Sequence, residues 1–230
     1  MHSKISKYSV EFFNQQEFHS LKREIFTNNL YYFKTKNPTP FIIDAGAYVG
    51  ISTLYFKQLY LNSQILAFEP NPFAIEKLKN NMFNNGIKNV DIKNSAVWTS
   101  EEIKEMYIDD TGQQRFSVAS FSKNGWNGEV KSRAIKVKTE KLDKYLNQNT
   151  DLLKLDVEGS EQQILKNIVK YFDNIKNIIL EYHPVNNQDV DKIIKILSKK
   201  YSVEIFDEGE KIDNKIPRDK LLTIKAIYKH

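Results

Sequence analysis

The chain has 230 residues, of which 40% are hydrophobic and 27% are charged, and this composition predicts one folded domain and excludes intrinsic disorder. Its 34 basic and 29 acidic residues leave a net charge of +5 that is spread along the sequence, which argues against a dedicated nucleic-acid binder. The absence of cysteine excludes disulfides, zinc–thiolate sites and a cysteine nucleophile. The sequence shows no signal-peptide core and no apolar window of roughly 18 residues, so we expect a cytoplasmic protein without a membrane span.

The first part of the chain predicts helical structure. Apolar residues recur at helical spacing between residues 11 and 34, with polar residues between them. Pro38 and Pro40 then interrupt this pattern. We therefore expect residues 1–38 to form a helical extension of a single domain that spans residues 1–230.

From residue 41 onward, short apolar strands alternate with amphipathic helices. This alternation predicts an α/β fold, with a doubly wound, mostly parallel, Rossmann-like sheet that carries helices on both faces. The last two strands, residues 201–206 and 221–228, follow each other without a helix, which predicts an antiparallel C-terminal hairpin strand. The earlier strands are expected at residues 41–44, 64–69, 90–92, 152–156 and 178–181, and the helices at residues 51–56, 72–85, 160–171 and 190–199.

Residues 97–138 interrupt this alternation. Stretches with a two-residue apolar period flank a polar loop with several glycines at residues 112–128. The pattern predicts a small β segment inserted into the repeating strand–helix order.

The first strand of the alternation ends in a glycine turn, I-D-A-G-A-Y-V-G at residues 43–50. Gly46 and Gly50 permit a tight turn near the carboxyl end of the strand, where α/β sheets bind ligands. Tyr48 stands where the dinucleotide pattern G-x-G-x-x-G has the glycine that admits a pyrophosphate. Asp44 would repel a phosphate but could hold an ammonium group. The turn therefore favours a cationic ligand without phosphates, such as S-adenosylmethionine (AdoMet).

An acidic residue ends the next strand. Glu69 can accept hydrogen bonds from both hydroxyls of a ribose, and we assign it to cofactor binding together with Tyr48 of the turn and with Pro70 and Asn71, which follow it. The structural alternative is that Asp44 caps the next helix and that Glu69 is a solvent-facing strand end.

A second acidic group follows the strand at residues 152–156. Asp156 lies at the carboxyl end of that strand, and Glu158 lies two residues later. The next strand ends with Glu181 and His183, which places another acid and an imidazole alongside. Because carboxylates beside a ligand crevice need a chemical reason, we assign Asp156, Glu158 and His183 as catalytic candidates.

These motifs resemble the FkbM family of AdoMet-dependent methyltransferases over about residues 40–184. The resemblance is carried by I-D-A-G-A-Y-V-G-I-S-T at 43–53, A-F-E-P-N-P at 67–72, N-S-A-V at 94–97 and L-L-K-L-D-V-E-G-S-E at 152–161. It implies a class I methyltransferase fold and methyl transfer to oxygen on sugars, glycans or natural products. The residues that it implies around AdoMet are Asp44, Gly46 and Gly50 at the methionine portion, Glu69 at the ribose, and Ser95 and Ala96 beside the adenine.

The expected reaction is SN2 transfer of the sulfonium methyl group to a hydroxyl of a sugar, nucleotide sugar, glycan or natural product. Arg115 and Trp126 in the inserted segment suit hydrogen bonding to a sugar and stacking on it, so we assign them to acceptor binding. Two alternatives are an ordinary exposed loop and a phosphate site that combines Arg115 with the basic residues at 131–138.

Two mechanisms remain open for the acidic group. The carboxylates of Asp156, Glu158 and Glu181 could hold Mg²⁺ or Mn²⁺, which would acidify the acceptor hydroxyl. The version that we favour needs no metal, because His183 accepts the proton. Glu161 lies in the first turn of the next helix, where the helix dipole explains an acidic residue.

Three other functions are weighed against methyl transfer to oxygen. A nicotinamide-dependent oxidoreductase is disfavoured by Tyr48. A nucleic-acid amino methyltransferase would have an N-P-P-Y-like strand end, where this chain has D-V-E-G. A non-catalytic AdoMet-binding module would leave the second acidic group without a role. The expected partner is a small-molecule or glycan acceptor and not a nucleic acid, and the sequence does not predict an oligomeric state.

Overall fold

The computed structural model of the protein describes residues 1–123, 131–185, 188–213 and 215–229. Its strands are β1 (His2–Ile5), β2 (Tyr8–Glu11), β3 (Phe41–Ala45), β4 (Gln64–Phe68), β5 (Val90–Lys93), β6 (Ala96–Val97), β7 (Ile103–Asp109), β8 (Ser132–Glu140), β9 (Leu152–Leu155), β10 (Asn177–Tyr182), β11 (Tyr201–Asp207), β12 (Glu210–Lys211) and β13 (Leu222–Tyr228). Its α-helices are α1 (Gln15–Leu21), α2 (Ile51–Leu59), α3 (Pro72–Asn84), α4 (Glu161–Ile168) and α5 (Val190–Leu197). A π-helical turn (Lys22–Thr27) continues α1, and 3₁₀ turns cover Phe116–Val118 and Val169–Asn174. None of the helices in the described ranges has the length and hydropathy of a bilayer-crossing segment.

The central sheet has the strand order β12-β11-β13-β10-β9-β3-β4-β5. Strands β3, β4, β5, β9 and β10 are parallel to one another, and β13 runs antiparallel to both β10 and β11. The predicted doubly wound α/β fold is confirmed. The two long C-terminal strands pair as predicted, but β13 inserts between β10 and β11, so the edge of the sheet consists of β11 and its short partner β12.

Alternate residues of the central strands face opposite sides, which gives the sheet two hydrophobic cores. In β3, Ile42 packs into one core with residues of α2 and α3. Ile43 packs into the other core with residues of α4 and α5. Helices cover both faces of the sheet, so a ligand cannot bind there. Sheets of this architecture bind ligands at the carboxyl ends of their parallel strands.

The N-terminal extension contains less helix than the sequence predicts. Strands β1 and β2 form an antiparallel hairpin, and helical structure covers α1 and the π-helical turn that follows it. The side chain of Asn14 accepts hydrogen bonds from the N–H groups of Gln16 and Glu17 and fixes the start of α1. The prediction of a helix over residues 11–34 is wrong at both ends. The cap at Asn14 makes the helix begin only after the hairpin, and Asn29 takes a positive φ of 53° after the π-helical turn.

The segment between β5 and β9 contains a second, small sheet, as predicted. Strand β8 pairs in parallel with β6 and antiparallel with β7. This sheet has its own hydrophobic cluster, which contains Ala96, Met106, Ile108 and Val137. Trp126, the predicted stacking residue, lies outside the described residues.

Candidate active site

A cavity of about 450 Å³ lies at the carboxyl ends of the parallel strands. The loops after β3, β4, β9 and β10 line it, and residues of α1, the π-helical turn and the inserted sheet complete it. The predicted site residues that line the cavity are Gly46, Tyr48, Glu69, Pro70, Ala96, Arg115, Asp156, Glu158, Glu181 and His183. The predicted residues that are described but do not line it are Asp44, Gly50, Asn71 and Ser95.

Gly46 begins the turn that links β3 to α2. A side chain here would place its Cβ 1.8 Å from the backbone oxygen of Asp156, far inside contact distance, and the φ of +80° also favours glycine. The N–H groups of Gly46 and Ala47 both donate to the carbonyl oxygen of Phe68. Gly46 therefore lets the ends of β3, β4 and β9 meet at the cavity.

Gly50 is required for packing. It has a φ of +90°, and a Cβ here would lie 2.6 Å from Cδ1 of Leu78 and 2.9 Å from Cε of Met82. Both side chains belong to α3. The second glycine of the turn therefore allows α2 to pack closely against α3.

Asp44 is fully buried beneath the turn. One carboxylate oxygen accepts hydrogen bonds from the hydroxyls of Ser52 and Thr53, at 2.8 and 2.7 Å, in the first turn of α2. The other oxygen lies 3.4 Å from Nζ of Lys154. These contacts tie the end of β3 to the start of α2, but they are not a helix cap, because Gly50 is the N-cap residue and no side chain caps this helix. The cation beside the Asp44 carboxylate is a lysine of the same chain.

Lys154, which the sequence analysis did not assign, joins the two halves of the site. Its Nζ donates to the backbone oxygens of Gly46 at 2.6 Å and Ala45 at 3.3 Å. The same atom lies 3.3 Å from Oδ2 of Asp156. Burial alone would lower the pKa of Lys154, but the carboxylates of Asp156 and Asp44 raise it. The ammonium group therefore stays charged and ties the glycine turn to the acidic strand end.

Glu69 is buried at the end of β4, with 5% of its surface exposed, which excludes a solvent-facing strand end. Its two carboxylate oxygens accept hydrogen bonds from the N–H groups of Tyr48 at 2.8 Å and Asn71 at 2.7 Å. Burial raises the pKa of Glu69 to about 7, although these two N–H groups lower it. Each oxygen has a second lone pair, which suits the acceptance of a hydrogen bond from a ribose hydroxyl.

Asn71 and Ser95 support the loops around the cavity. The side chain of Asn71 accepts a hydrogen bond from the N–H of Phe73 at 3.0 Å and caps α3. The hydroxyl of Ser95 donates to Glu140 at 2.8 Å. Ala96 follows Ser95 and lines the cavity together with other apolar residues of the inserted segment, which suits a flat aromatic base.

His183 is buried just after β10, among acidic side chains. Its Nδ1 lies 3.1 Å from Oε1 of Glu161. Its Nε2 lies 3.4 Å from Oε2 of Glu158 and 3.9 Å from Oδ1 of Asp156. Burial alone would lower the pKa of His183, but the carboxylates of Glu158 and Glu161 raise it well above its ordinary value. These carboxylates therefore favour the protonated imidazole, an environment that does not match the predicted role of a free base.

Glu161 does more than the helix dipole explains. Its Oε1 accepts hydrogen bonds from the N–H groups of Val157 and Gly159, each at 3.2 Å. Its other oxygen accepts a hydrogen bond from the side-chain amide of Gln188. Glu161 therefore holds the loop after β9 and the imidazole of His183 in one arrangement.

Glu181 and Tyr31 form another buried pair at the cavity. The hydroxyl of Tyr31 donates to Oε1 of Glu181 and lies 3.5 Å from Oδ2 of Asp156. Burial and the neighbouring Asp156 carboxylate raise the pKa of Glu181 to about 8. The N-terminal extension thus contributes a hydroxyl group to the acidic strand ends.

Asp156, Glu158 and His183 are the described residues that could hold a metal ion together. Each offers one ligand atom, and these atoms lie within 4.8 Å of one another. Glu181, the third ligand that the sequence predicts, is not part of this set. Its carboxylate contacts Tyr31.

The N-terminal extension and the inserted segment meet beside the cavity. Glu17 of α1 accepts hydrogen bonds from the hydroxyls of Tyr48 at 2.8 Å and Ser117 at 2.5 Å. Burial raises the pKa of Glu17, although these hydroxyls lower it. This carboxyl group connects the glycine turn, the extension and the inserted segment.

Arg115 lines the cavity, and its guanidinium group donates to the side chain of Gln16 at 3.3 Å. Lys131 and Arg133 pair instead with Asp110, at 3.4 and 3.9 Å. The basic residues at 131–138 are not part of the cavity lining. The structure therefore does not assemble the predicted phosphate site around Arg115.

The family model of the methyltransferase FkbM domain matches residues 44–203. This chain belongs to the FkbM methyltransferase family. The matched range contains the glycine turn, Glu69 and the acidic strand ends, and it confirms the resemblance that the sequence motifs carry.

Two curated methyltransferases are similar to this FkbM chain in sequence. Methyltransferase sdnD of Sordaria araneosa is 26% identical over 211 residues, which cover 77% of this chain and 76% of that protein. Methyltransferase 1 of Beauveria bassiana is 26% identical over 203 residues, which cover 76% of this chain and 74% of that protein.

Solved methyltransferase structures share the fold. A methyltransferase FkbM from Methylobacillus flagellatus superposes with a TM-score of 0.58 at 12% identity, over 94% of this chain and 55% of that chain. TYW2 of M. jannaschii, solved in complex with AdoMet, superposes with a TM-score of 0.52 at 12% identity, over 100% of this chain and 85% of that chain.

Several side chains of this FkbM site could not be assigned from the sequence, for different reasons. Lys154 carried a signal, because a lone charged residue stands inside an otherwise apolar strand. Tyr31 carried none, since the fold brings it to Asp156 across 125 residues of sequence. The helix dipole is a sufficient explanation of Glu161 in the sequence, and its contact with His183 is visible only in the folded protein.

Proposed function

We propose that this FkbM methyltransferase binds AdoMet and methylates a hydroxyl oxygen of a small-molecule or glycan acceptor, such as a sugar, a nucleotide sugar or a natural product. The observation that carries the proposal is that Gly46 and Glu69 share one cavity with Asp156 and Glu158. The first two suit a ribose-containing cofactor. The second two suit an acceptor hydroxyl that has to lose a proton.

The strand ends β3 and β4 suit AdoMet. Gly46 keeps the backbone accessible, and Glu69 offers hydrogen-bond acceptors for the ribose hydroxyls. Tyr48 stands where a pyrophosphate would have to approach the turn. When bound, AdoMet supplies a methyl group that is already activated for nucleophilic attack. The protein therefore has to align the acceptor and exclude water.

The acceptor hydroxyl loses its proton as its oxygen bonds to the methyl carbon, and the bond between that carbon and the sulfonium sulfur breaks to leave the thioether. Because the surrounding carboxylates favour the protonated form of His183, we assign this proton to the carboxylate of Glu158, which lines the cavity 3.4 Å from Nε2 of His183. Burial raises the pKa of Glu158, which makes it a stronger base than an exposed carboxylate. His183 positions Glu158, and Asp156, whose charge is balanced by Lys154, binds the acceptor hydroxyl.

A second candidate mechanism uses Mg²⁺ or Mn²⁺, and the grouping of Asp156, Glu158 and His183 within 4.8 Å favours it. Glu161 at Nδ1 would direct the other ring nitrogen toward the ion. We favour the metal-free version because Lys154, 3.3 Å from Asp156, already supplies positive charge to this group of carboxylates. Full turnover after exhaustive chelation supports that version, and turnover that requires added Mg²⁺ or Mn²⁺ overturns it.

Binding and product measurements together test the proposed function. In calorimetry, we expect AdoMet and its demethylated product, S-adenosylhomocysteine (AdoHcy), to bind and NAD not to bind. Methyl-labelled AdoMet is then incubated with a panel of hydroxyl-bearing acceptors, and NMR identifies the methylated atom. Absence of AdoMet binding would refute the cofactor assignment, and label on nitrogen or carbon would refute methylation of oxygen.

A further inference from the structure

The cavity is far more acidic than the protein as a whole. The chain has a net charge of +5, whereas carboxylates clearly outnumber Arg115 and His183 among the described residues that line the cavity. These carboxylates belong to Glu17, Glu24, Glu69, Asp156, Glu158 and Glu181. A local reversal of charge at a ligand site indicates the charge of the ligand.

The carboxylates at the strand ends have partners within the protein. Asp156 pairs with Lys154, and Glu158 pairs with His183. The other two accept hydrogen bonds from Tyr31 or from backbone N–H groups. These contacts serve the cofactor turn and the proton transfer proposed above.

Glu17 and Glu24 belong to a different part of the molecule, the N-terminal extension. They line the cavity together with Ser20 and Leu21, at the i, i+3, i+4 and i+7 spacing of one helical face. The π-helical turn that follows α1 carries Glu24. This face of the extension therefore presents two carboxylates to the space beyond the strand ends.

Both side chains are partly buried, which disfavours their charged form. Glu17 accepts hydrogen bonds from Tyr48 and Ser117, which lower its pKa, but burial has the larger effect. Arg115 acts on Glu17 and Arg23 acts on Glu24, but each lowers the pKa less than burial raises it. A cation in the cavity would stabilise both carboxylates in their charged form. An anion there would be repelled, and the repulsion would grow as water is excluded.

Aromatic rings stand beside the same carboxylates. Tyr48 and Phe116 line the cavity, and the hydroxyl of Tyr48 donates to Glu17. Phe116 is held in place by ring contacts with Phe13 and Phe73. The faces of such rings attract cations. Carboxylates and aromatic rings together form surroundings that suit a protonated amine.

We propose that the acceptor carries a protonated amino group, which Glu17 and Glu24 bind while a hydroxyl of the same molecule is held at Asp156. This inference rests on the proposed function and narrows the acceptor to amine-bearing alcohols, such as amino sugars. Acceptors with a phosphate group, nucleotide sugars included, are disfavoured because their charge would face these carboxylates.

The test uses matched probes on the AdoHcy complex of the full chain. Amine-bearing sugars (glucosamine, galactosamine and kanamycin) are compared with N-acetylglucosamine, N-acetylgalactosamine and UDP-glucose by calorimetry. We expect the amine-bearing probes to bind at least about tenfold more tightly than the others. Glu17→Gln and Glu24→Gln should each weaken amine binding by about tenfold. Glu76→Gln, at an exposed position of α3 outside the cavity, is the matched control and should change nothing.

AdoMet is itself positively charged, so AdoHcy and AdoMet are titrated against each variant separately. Unchanged cofactor affinity with weakened amine binding supports the proposal. Equal weakening of both assigns Glu17 and Glu24 to the cofactor and overturns it. So does equal or tighter binding of the neutral or phosphate-bearing probes, or no binding of any amine-bearing probe. Failure of AdoMet to bind the wild-type protein is a separate result, which overturns the proposed function itself.

Discussion

The strand ends of the central sheet and the N-terminal extension contribute to the same cavity by different means. At the strand ends, each functional side chain belongs to a short motif, such as the glycine turn or the D-V-E-G segment after β9. In the extension, Tyr31 reaches Asp156 across 125 residues and Glu17 reaches Ser117 across 100 residues. The comparison indicates that the cavity side chains at the strand ends are encoded in short local motifs, whereas those of the extension reach the cavity through tertiary packing.

The largest expected effect comes from removing the cation that joins the strand ends. Lys154→Met leaves the fully buried carboxylate of Asp44 without its ion-pair partner, and it removes one of the two partners of Asp156, which keeps His183. We expect the free energy of unfolding to fall by about 3–5 kcal/mol in urea denaturation. Lys211→Met, which breaks an exposed pair with Glu204, should cost less than about 1 kcal/mol. Similar losses in both variants would show that Lys154 does not hold the strand ends together.

The glycine turn offers a test with a control of similar backbone conformation. Gly46→Ala should lower stability by about 3 kcal/mol and weaken AdoMet binding, because its Cβ meets the backbone of Asp156. Gly86→Ala also has a positive φ, but nothing lies within 4 Å of its Cβ, so we expect a loss of about 1 kcal/mol and unchanged AdoMet affinity. Urea denaturation and calorimetry measure both quantities, and equal behaviour of the two variants would contradict the role of the close approach.

The pKa of Glu69 makes cofactor binding depend on pH. A ribose hydroxyl donates to the charged carboxylate, and the pKa of Glu69 is about 7, so AdoMet affinity should be full above pH 7 and fall as the pH drops below it. Glu69→Gln removes the charge and should weaken AdoMet binding by about 1.5–3 kcal/mol, with little remaining dependence on pH near 7. Calorimetry from pH 6 to 8.5 tests both parts. A wild-type AdoMet affinity that stays constant from pH 6 to 8.5 would show that Glu69 does not accept hydrogen bonds from the cofactor.

The smallest expected effect concerns the hydroxyl that the extension contributes. Tyr31→Phe removes the hydrogen bond to Glu181 and should lower kcat by about tenfold or less, with the AdoMet Kd unchanged. Tyr55→Phe removes a hydroxyl that donates to Asn29 outside the cavity, and it should leave kcat unchanged. Weaker AdoMet binding by Tyr31→Phe would show that the extension also contributes to cofactor binding.

Local periodicity explains which parts of the fold were predictable. The parallel strands and their helices followed from apolar runs and turn residues, because each element buries its own pattern on one face of the sheet. The extension did not follow, since its aromatic residues suit a helix as well as a strand, and the cap at Asn14 decides where the helix begins. The place of β13 between β10 and β11 is a non-local pairing that no short segment specifies.

The site shows the same division. Glu69 and Asp156 were predictable because an acid that ends a parallel strand faces the ligand crevice. Asp44 was predicted to bind the methionine portion of AdoMet, but it is buried outside the cavity lining and contacts Lys154, a contact that depends on the pairing of β3 with β9. His183 was recognised by its position after a strand, whereas the raised pKa of its imidazole depends on Glu158 and on Glu161, which approaches from α4.

The most direct test of the central claim, that one cavity holds the cofactor at β3 and β4 and the acceptor at the acidic strand ends, is a crystal structure of the protein with AdoHcy. We predict that both ribose hydroxyls lie within hydrogen-bond distance of the Glu69 carboxylate, that the adenine packs beside Ala96, and that the sulfur faces the side of the cavity formed by Asp156 and Glu158. A ribose bound away from Glu69, or a sulfur directed away from Asp156 and Glu158, would contradict the account.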